Sequence, residues 1–62
     1  MTSSRLTVRS PRARPFATKA LQAYKRGDYK VAKLNLKMAL QHEPDNTVLQ
    51  ARLADVERQL AQ

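Results

Sequence analysis

Apolar residues recur at helical spacing in three stretches of the chain, and turn-forming residues separate these stretches. In the first stretch, apolar side chains fall on one side of a helix, and Pro15 suits its first turn. Gly27 suits the left-handed residue that ends a helix, and Lys25 and Arg26 fit the negative end of the helix dipole. The pattern predicts an amphipathic helix from about Pro15 to Arg26.

The second stretch predicts a helix from Tyr29 to about His42, with Asp28 as its N-cap and Pro44 enforcing its end. This helix has two apolar faces. One face consists of residues at helical spacing, Tyr29, Ala32, Leu36, Ala39 and Leu40. The other lies to its side and consists of Val31, Leu34 and Met38. A helix that is apolar over so much of its circumference needs neighbours on two sides.

The third stretch predicts a helix that Asn46 caps and that runs to the C-terminus. Its apolar residues form one seam, Leu49, Leu53, Val56 and Leu60. The connections around Gly27 and Asp45 are short, so successive helices must pack antiparallel. Strong helix formers dominate the composition. The sequence therefore predicts an all-α fold, an antiparallel helical hairpin plus a third helix.

Residues 1–15 have a different composition, with four arginines, two prolines and no acidic residue. Pro11 and Pro15 remove backbone donors and favour extended conformations in the residues that precede them. We therefore expect a flexible or extended basic arm in residues 1–15, followed by a three-helix domain in residues 16–62.

The pattern of the second helix resembles the second half of a tetratricopeptide repeat. The resemblance rests on GDYKVA at residues 27–32, then Ala39 and Leu40, then PDN at residues 44–46. It implies that residues 13–46 form one full repeat, a helical hairpin, and that residues 47–62 form the helix that closes such an array. The first helix departs from the family pattern at four positions, Phe16, Lys19, Ala20 and Ala23.

The net charge of +7 is unevenly distributed. Residues 1–37 hold ten Lys and Arg against Asp28 alone, whereas residues 38–62 hold two arginines against four acids. Such asymmetry indicates an acidic partner for the basic half. A run of lysines on one helix face is ordinarily a solvated face, but together with the arm it makes a larger positive field than solubility requires. The candidate contacts to phosphate or to an acidic partner are Arg5, Arg9, Arg12, Arg14, Lys30, Lys33 and Lys37.

Nothing in the sequence indicates catalysis, so we expect no enzyme, no cofactor, no metal site and no small-molecule substrate. The chain has no cysteine, which excludes disulfides and thiolate metal sites. His42 is the only histidine, and we interpret it as a favourable charge at a helix end, because Glu43 and Asp45 beside it cannot close a tetrahedral shell on one ion. Gly27 stands alone, so there is no phosphate-binding glycine loop.

The leading functional prediction is a scaffold that binds itself or a larger assembly, because an incomplete repeat array leaves apolar faces uncovered. The candidate interface residues are Tyr24, Val31, Leu34 and Met38. The alternative is a small basic protein that binds the backbone of RNA or DNA through its arginine-rich arm, without reading bases.

The chain has no apolar run near the roughly 18 residues that span a bilayer, so we expect no membrane span. A cytoplasmic location is the default. The alternative is an organellar one, in which residues 1 to about 20 are an arginine-rich transit peptide, although Pro11 and Pro15 oppose an amphipathic targeting helix.

Overall fold

A computed structural model of the protein describes residues 8–62, and this part of the chain forms three α-helices. They are α1 (Arg14–Lys25), α2 (Tyr29–His42) and α3 (Thr47–Ala61). No strand occurs within residues 8–62. Helix α2 packs against both α1 and α3. The predicted all-α, three-helix fold is confirmed, with α1 beginning and ending one residue earlier than expected.

The turn between α1 and α2 closes in the way that Gly27 predicts. Gly27 has a φ of 79°, a left-handed conformation that a side chain disfavours. Its N–H donates to the Tyr24 carbonyl at 3.0 Å, and the Asp28 N–H donates to the Ala23 carbonyl at 2.8 Å. This pair of bonds is the Schellman motif, which satisfies two carbonyls at the end of α1.

The two predicted N-caps have different outcomes. The Asn46 side chain accepts hydrogen bonds from the N–H groups of Val48 at 3.0 Å and Leu49 at 3.1 Å, so the predicted cap of α3 is confirmed. Asp28 precedes α2, but its side chain makes no capping hydrogen bond, so that prediction is wrong. The backbone of Asp28 closes α1 and has a ψ of 76°, whereas Asn46 caps from a more extended ψ of 105°.

The core is built from small residues of α1 and α2 and larger residues of α2 and α3. The buried side chains are Ala13, Ala17, Ala20, Ala23, Ala32, Leu36, Ala39, Leu49 and Val56. Alanines on the facing sides of α1 and α2 let the two helices approach closely, because interaxial distance depends on the side chains at the contact. The predicted seam of α3 is confirmed, since Leu53 and Leu60 also pack against this core.

The segment before α1 differs from the predicted arm over residues 8–15. Helix α1 already begins at Arg14, Ala13 is fully buried, and Val8 packs against the core. The reason is that two apolar side chains of this segment, Val8 and Ala13, reach the core, although the segment is too polar to form a core by itself. The rest of the predicted arm, residues 1–7 with Arg5, lies outside the described residues. In residues 8–62, no helix has the length and hydropathy needed to cross a membrane.

Candidate functional site

The side of α2 that faces away from the core carries an apolar ridge. Leu34 is 61% exposed and Val31 is 39% exposed, whereas Leu36 on the opposite side is fully buried. Met38 is half-buried. The three residues follow at i, i+3 and i+7, a spacing that lines them up along one helix surface. We call Val31, Leu34 and Met38 the apolar ridge.

A row of lysines runs beside the apolar ridge. Lys30, Lys33 and Lys37 have the same i, i+3, i+7 spacing and each directly precedes a ridge residue, so the two rows run parallel. Lys30 and Lys37 are exposed and Lys33 is half-buried. Within the described residues, no carboxylate forms an ion pair with any of these lysines. The outer side of α2 therefore combines exposed apolar surface with unneutralised positive charge.

Tyr24, the fourth predicted interface residue, lies apart from the apolar ridge and links α1 to α3. Its hydroxyl donates to Asp55 Oδ2 at 2.5 Å, and the Arg52 guanidinium lies 5.1 Å from its ring centroid. The ring also packs edge-on against Tyr29, with centroids 5.6 Å apart. The hydrogen bond to Asp55 raises the pKa of Tyr24 and lowers the pKa of Asp55. Tyr24 thus has internal partners, and the structure does not bring it together with the other three.

An open groove of about 420 Å³ lies on α3 and includes the two α3 residues that contact Tyr24. Its lining residues are Thr47, Val48, Ala51, Arg52 and Asp55. The two charged groups of the groove, Arg52 and Asp55, already contact Tyr24. The groove therefore offers mainly an apolar surface, on which Val48 is 41% exposed.

Glu43 joins two parts of the fold, a role that its place in the sequence does not indicate. Its side chain is 6% exposed, and Oε2 accepts the backbone N–H groups of Arg9 at 2.9 Å and Ser10 at 2.8 Å. The Asn46 amide donates to Oε1 at 3.3 Å. The N–H of Ser10 is the main cause that lowers the pKa of Glu43. One carboxylate thus holds the segment before α1 against the turn between α2 and α3, an arrangement we call the Glu43 clasp.

The clasp makes stability depend on pH. Because folding lowers the pKa of Glu43, its carboxylate stabilises the folded state at pH values above the ordinary glutamate pKa near 4.5. This stabilisation is lost as the pH falls through the lower pKa of the folded state. We expect Glu43→Gln to lower the melting temperature at pH 7 and to make it fall less steeply between pH 7 and pH 3. Thermal melts followed by circular dichroism measure both effects, and Glu57→Gln at an exposed position is the matched control. Equal pH dependence of the two variants would contradict the clasp.

Three of the predicted arginine contacts, Arg9, Arg12 and Arg14, lie at or just before the start of α1. Arg9 lies near two carboxylates, with Nε 3.7 Å from Glu43 Oε1 and a terminal nitrogen 3.8 Å from Asp45. Arg12 and Arg14 are exposed and have no ion pair within the described part of the chain. These arginines thus precede or begin α1, whereas the lysine row lies on α2.

His42 lies at the end of α2, where its ring stacks on Phe16 with centroids 6.1 Å apart. No group of three or more metal-ligating side chains gathers anywhere in residues 8–62.

Comparison of the chain with protein-family models, with curated proteins and with solved structures gave no match. The tetratricopeptide resemblance stays a prediction from the residues that carry it.

Proposed function

We propose that this chain is a non-enzymatic protein–protein interaction module that docks through the apolar ridge of α2, on a second copy or on a larger assembly. The observation that carries the proposal is the exposure of Leu34, 61%, at the centre of a ridge whose helix is fully buried on its opposite side. Covering a leucine side chain completely is worth roughly 1.5–3 kcal/mol. The ridge is therefore a favourable contact for another protein surface.

The arrangement of the ridge supports docking over an ordinary solvated surface. Apolar residues exposed singly are normal on proteins, but contiguous apolar surface rimmed by polar residues is typical of interaction sites. Val31, Leu34 and Met38 are neighbours on one helix surface, with lysines along one side. A ridge at i, i+3 and i+7 is the shape that fits into the groove of a second helix.

We also propose, as the family resemblance implies, that the chain is one tetratricopeptide-like repeat followed by a closing helix. Two observations support it: a hairpin with Ala32 and Ala39 fully buried, and a left-handed Gly27 at its turn. Repeat arrays generally need about three repeats for stability, because each repeat covers the apolar face of the next. A single repeat is consistent with docking on a larger assembly.

Binding of a nucleic-acid backbone through the arginines is the second candidate. The exposure of Arg12 and Arg14 without ion pairs in residues 8–62 favours it. Arg9, however, already lies near Glu43 and Asp45. Phosphate binding also gives the apolar ridge no role, so protein docking accounts for more of the exposed surface.

Leu34→Glu tests the proposed function. We expect the wild-type chain to associate with itself or with designed amphipathic helical peptides that carry a leucine ridge. Leu34→Glu should weaken that association at least about tenfold, because it replaces the apolar side chain at the centre of the ridge by a carboxylate that must be desolvated in the contact, even with Lys30 and Lys37 as its neighbours on the helix surface. Sedimentation velocity measures self-association, and fluorescence anisotropy measures peptide binding.

The matched control for this test is Val48→Glu, the same kind of change at another exposed apolar residue, which should leave the association intact. Helicity should survive in both variants. A wild-type chain that neither self-associates nor binds any peptide would overturn the proposal. Unfolding of Leu34→Glu would mean instead that Leu34 belongs to the internal core.

A further inference from the structure

We infer that the partner of the apolar ridge is an acidic amphipathic helix of another protein. This inference rests on the proposed function and names the class of partner. Its basis is the parallel placement of the apolar ridge and the lysine row on the outer side of α2.

The geometry specifies the shape of the partner. The ridge runs from Val31 to Met38, about 10 Å of helix at 1.5 Å per residue, which matches two turns of a second helix. Lys30 and Lys37 lie on either side of Leu34 along the helix, at i−4 and i+3, so they are its direct surface neighbours. A helix whose leucines cover the ridge would place the residues beside those leucines next to the lysine row.

Charge specifies the chemistry of the partner. Lys30, Lys33 and Lys37 have no carboxylate partner within residues 8–62. Lysines that border an apolar contact lose part of their hydration when it is covered, which is costly unless the partner supplies opposite charge. Carboxylates beside the leucines of the partner meet that requirement.

The same charges disfavour a second copy of the chain as the occupant. If two copies met ridge to ridge with antiparallel helices, the lysine row of each would face the other, and like charges in an interface are strongly unfavourable. In a parallel pair each row would face the opposite flank of the other α2, and α2 contains no acidic residue. The chain has only five acidic residues. Glu43 and Asp55 hold internal hydrogen bonds, and Asp45 lies near Arg9.

The two remaining acids cannot form the required row. Asp28 lies in the turn between α1 and α2, and Glu57 lies on α3. Residues 1–7 contain no acid. Within residues 8–62, no surface therefore offers a row of carboxylates beside an apolar ridge, and the charges favour a different protein as the partner.

The test compares three labelled helical peptides that share one leucine ridge and carry Glu, Gln or Lys beside it. At 0.1 M salt we expect the Glu peptide to bind the full chain about tenfold more tightly than the Gln peptide, and the Lys peptide to bind most weakly. The difference should shrink at 1 M salt, because the screening length falls from about 10 Å to about 3 Å. Fluorescence anisotropy gives each dissociation constant.

Variants distinguish the contribution of the lysine row from that of the apolar ridge. Replacing Lys30, Lys33 and Lys37 together by Gln should abolish the preference for the Glu peptide. Leu34→Ser should weaken the binding of all three peptides. Lys19→Gln with Lys25→Gln on α1, also exposed lysines, should leave the preference unchanged.

The outcomes distinguish this inference from the proposed function. If no peptide binds and the chain does not self-associate, both fall together. If the Gln peptide binds as tightly as the Glu peptide, or the chain self-associates through Leu34, the proposed function stands and the acidic partner is overturned. If a single-stranded oligonucleotide displaces the Glu peptide and binds Leu34→Ser as well as wild type, the surface is a phosphate site and the inference is also overturned.

Discussion

Leu36→Ala is expected to remove most of the folding stability of the chain at 25 °C. Leu36 is fully buried on α2, the helix that contacts both of the others. Truncating such a leucine to alanine costs about 2–5 kcal/mol, because burial is lost and the cavity collapses only in part. A single core in a chain below about 70 residues rarely supplies more than 3–5 kcal/mol in total. The substitution therefore removes most of the available stability.

The measurement is the helical circular dichroism signal across a thermal or urea transition. Leu34→Ala is the matched control, since it removes the same atoms from the same helix at a position that is 61% exposed. We expect that control to change stability by no more than about 0.5 kcal/mol. Similar losses in the two variants would mean that the buried and exposed sides of α2 are assigned wrongly.

Helical periodicity predicted most of the fold, because each helix buries one side and the spacing of its apolar residues indicates which side. The buried positions of α2, Ala32, Leu36 and Ala39, follow from spacing alone. Gly27 and Asn46 marked a helix end and a helix start, since both act on neighbouring backbone groups. Local chemistry of this kind is visible in a single sequence.

Contacts between distant residues were not predictable in the same way. The Glu43 clasp joins residues separated by 33 and 34 positions, and Tyr24 pairs with Asp55 across 31 positions. No periodicity or spacing indicates such pairs, because they depend on how the helices are positioned against one another. For this reason the sequence alone predicts Tyr24 as a candidate interface residue, although its ring and hydroxyl have partners on α2 and α3.

The candidate interface was predictable in part. The sequence indicated that α2 has a second apolar face, and within residues 8–62 that face stays uncovered at Leu34. Spacing alone puts Lys30, Lys33 and Lys37 beside this face. Only the structure shows that these lysines have no carboxylate partner within residues 8–62 and that three of the five acids have partners elsewhere.

Ala32→Trp is expected to force α1 and α2 apart. Ala32 is fully buried on α2, and the buried residues of α1 are all alanines, among them Ala20 and Ala23. An indole is far larger than the side chain it replaces in this close-packed core, so the backbones must separate. Overpacking by smaller groups already costs about 1–3 kcal/mol, and an indole is far larger than those groups.

Ala54→Trp on the exposed side of α3 is the matched control and should melt close to wild type. Thermal melts of the two variants decide the matter: equal midpoints would mean that α1 and α2 do not cross closely at Ala32.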